Sequence, residues 1–167
     1  MTITGMLTAL VCVSTMMIRI PTPTKGYINL GDCIVNIAAW LLGPLYGAFA
    51  AGAGSALSDL FAGYTVYVPA TFIIKGLMAL ASWAVFTQLR KKKLSVPACI
   101  AAAVTAEVIM TAGYFAFEAF LYGSFAAAVP GISGNIIQGV GGIVGSVLIY
   151  EAVGKRVTVL SERDQFN

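Results

Sequence analysis

The sequence predicts an all-α membrane protein: six transmembrane helices in one compact bundle, with both termini cytoplasmic. Three observations lead there. Hydrophobic residues make up 59% of the 167 residues, charged residues only 10%, and the mean hydropathy is +0.88. Soluble domains carry roughly 25% charged and about 45–50% apolar residues, so this chain has too little charge to solvate a globule and too much apolar surface to hide inside one. The same figures exclude intrinsic disorder. The apolar residues also fall into runs close to the ~20 residues that a helix needs to cross a bilayer. Finally, the basic residues favour one side of the map that those runs define.

The first span is expected from about Ile3 to Ile20. No basic residue precedes it and no small-residue cleavage site closes it, so it reads as a retained span rather than a signal peptide. Pro21-Thr22-Pro23-Thr24-Lys25-Gly26 breaks the helix into a loop. A second span covers about Leu30 to Leu42, and Gly43-Pro44 separates it from a third, about Leu45 to Ala62. The fourth runs from about Val66 to Leu89, ahead of Arg90-Lys91-Lys92-Lys93. The fifth runs from Pro97 to about Tyr122, and the sixth from about Gly131 to Val153. With both termini inside, Arg90, Lys91, Lys92, Lys93, Lys155, Arg156 and Arg163 are cytoplasmic; only Arg19 and Lys25 lie outside. Residues 1–167 read as a single domain, without long linker or repeat.

The absence of histidine excludes Ser-His-Asp hydrolysis, histidine zinc sites and imidazole relays. Cys12, Cys33 and Cys99 lie in apolar stretches without a CxxC and read as small buried hydrophobes. No metal or cofactor is expected. The net charge of +3 comes mostly from helix ends, so no nucleic-acid partner is expected.

Small residues mark where helices approach in lipid. Gly47, Ala51, Ser55 and Asp59 recur every four residues on one face of the third span, with Gly43 in line. Gly141 and Gly145 form a GxxxG in the sixth. Both stripes read as intramolecular packing.

An ionisable residue within a span costs at least ~2.5–3.5 kcal/mol on insertion scales, so each points to function or to a specific partner. Asn29, Asp32, Asn36, Asp59, Lys75, Glu118, Asn135 and Gln138 are all expected in the outer half, with only Glu107 near the midplane. Glu107, Met110, Tyr114 and Glu118 share a helical stripe. Lys75 lies ~14 Å down its span and can snorkel toward Asp59. A through-pore needs polar groups along its whole length, whereas a cup needs them in one half. The sequence therefore predicts an outward-facing pocket walled by aromatics such as Tyr27, Tyr64, Tyr67, Trp83 and Tyr114. Trp40 reads as a belt or packing residue, and Trp83 carries the same reading as an alternative to pocket wall.

Gly26-Tyr27-Ile28-Asn29-Leu30-Gly31-Asp32, Leu42-Gly43-Pro44-Leu45-Tyr46-Gly47-Ala48, Gly54-Ser55-Ala56-Leu57-Ser58-Asp59-Leu60, and Tyr67-Val68-Pro69-Ala70-Thr71 leading to Lys75-Gly76 carry a resemblance. This series resembles the substrate-binding S components of energy-coupling factor (ECF) vitamin transporters. Within them it is similar to the riboflavin-type family and its hydroxymethylpyrimidine- or pyridoxine-like group. The resemblance implies a six-helix bundle whose pocket is capped by the loop of about Pro21 to Asn29. It implies that the first helix docks on a transmembrane coupling subunit through a small-xxx-small motif, here Gly5 and Ala9, where the usual form has two alanines, with Thr4 and Thr8 as the alternative reading of the face. It further implies two partner ATPases, no chemistry by this chain, and toppling in the membrane to release ligand.

The expected function is thus a binding subunit that captures a small water-soluble vitamin or precursor from outside, in a bacterial cell membrane. The expected ligand contacts are Asn29, Asp32, Asp59, Tyr64, Lys75, Tyr114, Glu118, Asn135 and Gln138. The alternatives are a self-sufficient small transporter or channel using Glu107, an intramembrane hydrolase using Ser55 or Ser58 with Lys75, and a scaffold. A lysine base needs a depressed pKa that a neighbouring Asp59 opposes.

Overall fold

The computed structural model describes residues 2–17, 20–21, 27–91 and 95–154. Among them the order is α1 (Thr2–Met17), β1 (Ile20–Pro21), β2 (Tyr27–Ile28), α2 (Gly31–Leu42), α3 (Pro44–Phe61), α4 (Val68–Arg90), α5 (Ser95–Tyr122), α6 (Phe125–Ile149) and a π-helical turn (Tyr150–Gly154). The two short strands pair antiparallel, Ile20 with Ile28 and Pro21 with Tyr27, between α1 and α2. Arg19, Lys25, Lys92, Lys93, Lys155, Arg156 and Arg163, which carry most of the expected charge asymmetry, lie outside the described residues, as does the side chain of Tyr27.

Successive helices run antiparallel, so the α1–α2, α3–α4 and α5–α6 connections share one end of the bundle. Gly47 faces Ala39, Gly52 faces Phe72 and Gly131 faces Glu118, pairings that fix these directions. The expected six helices are present, with two boundaries displaced: α1 ends at Met17, with Ile20 in β1 rather than in the first span, and α6 starts early. Pro130-Gly131 does not start α6; the helix begins at Phe125, where Ser124 caps it by accepting from the Ala127 N–H. Pro130 lies near that helix start and removes one early backbone bond, which transmembrane helices tolerate.

α4, α5 and the stretch Phe125–Val153 are long and apolar enough to cross a membrane. At 12 residues, α2 extends only ~18 Å, short of a ~30 Å hydrocarbon core. It does not need to span. Its first-turn Asp32 is ion-paired with Lys75, seven residues past Val68, so α2 starts ~11 Å below the start of α4. This corrects one depth. Asn36, expected in the outer half, accepts a hydrogen bond from Ser82 Oγ at 2.7 Å, beyond the middle of α4. Spacing along one chain gives depth only if helices start level, and α2 is recessed.

α2 is buried from Gly31 through Trp40 except at Ile34 and packs on α1, α3, α4 and α6. α3 supplies small faces to three neighbours. A Cβ at Gly47 would stand 2.8 Å from Ala39 Cα of α2, one at Gly52 2.7 Å from the Phe72 carbonyl of α4, and one at Gly54 2.6 Å from the Thr8 carbonyl of α1. The expected four-residue stripe is buried as a whole; Gly52 and Gly54 lie off it and were not part of the sequence pattern. Gly141 and Gly145 of α6 face Leu30 and Cys33, so that GxxxG packs within the chain.

At the terminal end an aromatic cluster fills the bundle. Trp40 stacks on Phe86 at 5.0 Å, and Tyr150, 2% exposed, meets both edge-on at 5.6 and 5.3 Å. Edge-to-face and offset contacts of this kind are favoured by the ring quadrupoles. Trp40 donates to Ser82 Oγ at 2.9 Å, so it is a core residue rather than an interface anchor.

Candidate functional site: a polar cavity between the connections

Opposite the aromatic cluster lies a narrow cavity; the empty space counted out through its mouth, open solvent included, is about 580 Å³. Of the nine expected contacts, the structure places Asn29, Asp59, Tyr64, Lys75, Tyr114, Glu118, Asn135 and Gln138 on its wall. Asp32 is not on the wall. It is fully buried behind Lys75.

The floor is a closed hydrogen-bond network. Lys75 Nζ donates to Asp32 Oδ1 and contacts Met110 Sδ at 3.3 Å. Gln138 Nε2 donates to Asp32 Oδ2 at 2.6 Å and contacts the same sulfur at 3.2 Å. Gln138 Oε1 accepts from the backbone N–H and the side-chain amide of Asn29 at 2.9 and 3.1 Å. Asn29 Oδ1 accepts in turn from the Gly31 N–H at 2.8 Å, closing the entry to α2. The ion pair of Lys75 is therefore with Asp32 of α2, not with Asp59. The recessed start of α2 brings Asp32 to the depth of Lys75, so no snorkelling is required. A buried ion pair needs such extra bonds to offset its desolvation.

The wall above is aromatic. Tyr64 and Tyr67 meet edge-on at 6.3 Å, and Tyr67 meets Phe117 at 5.3 Å. Tyr114 shares a 3.0 Å hydrogen bond with Thr71, and its ring centre lies 5.8 Å from Lys75 Nζ. Tyr67 OH is 3.1 Å from Tyr122 OH and makes a long 3.5 Å contact to Glu118 Oε1. Glu118 Oε2 and Ser55 Oγ are sealed from solvent without a hydrogen-bond partner among the described residues. Trp83 is not part of this wall; it lines a separate cleft at the other end with Trp40, Arg90 and Lys91.

Thr15, Ser55, Tyr67, Thr71, Gly131 and Gly134 line the cavity outside the expected contact set. Tyr67, Thr71 and Lys75 are spaced by four, a stripe that a helical reading of α4 contains. Thr15 carries no such signal. Its hydroxyl donates to the Val11 carbonyl, as threonine does in any helix. On α5, Glu107, Met110, Tyr114 and Glu118 all turn inward, as their spacing predicts, but Glu107 lies away from the cavity. Gly5 and Ala9 lie on the exposed face of α1.

A membrane-embedded helical bundle with a polar, aromatic-walled cavity between its connections is the architecture of a solute-binding membrane subunit. The chain belongs to the family of ECF-type riboflavin transporter S components, whose family model matches residues 1–155. It is thus a substrate-binding membrane subunit of an ECF-type transporter, a family of transport proteins rather than enzymes. It is 36% identical over 136 residues to an "Uncharacterized protein in gap 3'region" of Pyrococcus woesei, covering 80% of this chain and 87% of that protein. The fold matches a solved chain described under "Structure and mechanism of the S component of a bacterial ECF transporter". The TM-score is 0.71 at 24% identity, over 93% of this chain and 96% of that one.

Proposed function

We propose that the cavity is a receptor for a small water-soluble vitamin or vitamin precursor, hydroxymethylpyrimidine- or pyridoxine-like, taken up from outside the cell membrane. Both termini are then cytoplasmic, and the ends of α1, α3 and α5 open the cavity outward. The observation that carries this reading is the gathering of Asp59, Lys75, Glu118, Asn135 and Gln138 with three tyrosines around one cavity. Rings that stack and a few directional polar groups suit a compact aromatic heterocycle. The family supports association with a transmembrane coupling subunit and two ATPases. The exposed small pair Gly5 and Ala9 gives α1 a surface on which a partner helix can approach closely. The cluster of Trp40, Phe86 and Tyr150 supports a closed cup over a self-sufficient permeation path.

Ligand retained through purification, identified by mass spectrometry, tests this directly. Isothermal titration against pyridoxine, pyridoxal, hydroxymethylpyrimidine, thiamine, riboflavin, folate and pantothenate is the complement. Saturable binding of one of the first three is the expected result. No binding by any of the seven would reject the receptor reading, and solute uptake into liposomes by the isolated chain would replace it with autonomous transport.

A further inference from the structure

We propose that the cavity selects a ring compound bearing an amino or protonated nitrogen, and that Glu118 Oε2 receives its N–H. The inference rests on the receptor reading above and narrows its ligand by charge. Glu118 is 3% exposed, and its Oε2 has no donor among the described residues. A buried carboxylate oxygen without a donor is costly; here the donor is supplied by what the cavity binds. α6 is shaped around that oxygen. Gly131 faces Glu118 Oε2 so closely that a Cβ there would collide with it, and both residues line the cavity.

The charge balance points the same way. Lys75, the one cation on the wall among the described residues, is matched by Asp32, and Gln138 spends its amide N–H on the same carboxylate. The floor therefore offers an anionic ligand little. Asp59 and Glu118 place two carboxylates on the wall. Tyr64, Tyr67 and Tyr114 line the same cavity, and aromatic faces attract cations. Ser55 Oγ of α3, also without a partner, stands ready for a second polar group of the ring.

Isothermal titration of the purified full chain provides the test. One panel is thiamine, pyridoxamine and 4-amino-5-hydroxymethyl-2-methylpyrimidine; the other is pantothenate, biotin and riboflavin. At least one compound of the first panel should bind. Glu118→Gln, which puts a donor where an acceptor stood, should weaken it by about 10- to 100-fold, the worth of one charge-assisted hydrogen bond. Gly131→Ala attacks the same point from another helix and serves if Glu118→Gln does not fold; it too should weaken binding by about tenfold or more. Tight binding of any compound of the second panel to the unaltered chain overturns the inference while leaving the receptor reading intact. So does an affinity that stays within about twofold in both variants. Failure of every compound to bind removes the receptor reading, and this inference with it.

Discussion

The two ends of this bundle bury polar groups in opposite ways. At the cavity end, Glu118 and Ser55 line the cavity, and each keeps one buried polar atom without a hydrogen-bond partner among the described residues. In the body of the bundle, polar groups are tied to one another or packed against glycine. Asp32, Lys75, Gln138 and Asn29 form one network, and Trp40, Ser82 and Asn36 form a second. Glu107 is the instructive intermediate. It is 6% exposed, both carboxyl oxygens lack a hydrogen bond among the described residues, and Gly139 and Gly142 of α6 press on it. Asn36 Nδ2 is likewise without a hydrogen-bond partner among the described residues. Glu118 and Glu107 sit on one stripe of one helix, so sequence spacing treats them alike. The difference lies in what surrounds each: the polar cavity wall for Glu118, and glycines beside an apolar groove between α5 and α6 for Glu107.

The comparison can be broken at several points. The largest effect is expected from Lys75→Met, which strands the buried Asp32. Loss of one partner of such a pair costs about 3–5 kcal/mol, read as a lowered unfolding midpoint in detergent, together with loss of ligand binding. A midpoint unchanged by this substitution would show that the floor is not held by the pair. Next is Gly54→Ala, whose methyl would meet the Thr8 carbonyl and Val11 and push α1 from α3. Overpacking of this kind costs about 1–3 kcal/mol, and unfolding measurements should show it with little change in ligand affinity.

Glu107→Met should act with the opposite sign. Replacing an unsatisfied buried polar group by an apolar one of similar length should stabilise by about 1–3 kcal/mol, and affinity should hold because Glu107 is off the cavity wall. Destabilisation, or loss of binding, would place Glu107 in the working site after all. The smallest effect is expected from Trp40→Phe, which removes the bond to Ser82 but keeps the ring stack. A cost of about 1 kcal/mol in stability, without change in affinity, would confirm that the terminal end is structural. A large affinity change would show that the two ends are coupled.

The helix count and the stripe on α5 were legible because a single helix's own periodicity carries them. Lys75 was legible as a buried charge, but its partner was not. Asp59 and Asp32 are equally good acids in sequence, and the choice depended on how far α2 is sunk. Trp83 looked like cavity wall because aromatic residues near a polar cluster in sequence look alike; its helix carries it to the other end. The sixth helix was expected from about Gly131; with the Ser124 cap it begins at Phe125.

The sequence by itself determined the membrane environment, the six helices, and which side chains are too expensive to face lipid. Those follow from composition and local period, which need no neighbour. Only the tertiary structure decided which buried polar groups satisfy each other and which are left facing space. Pairing depends on helix offsets, and α2's offset is set by contacts with the five other α-helices rather than by anything written within its own twelve residues.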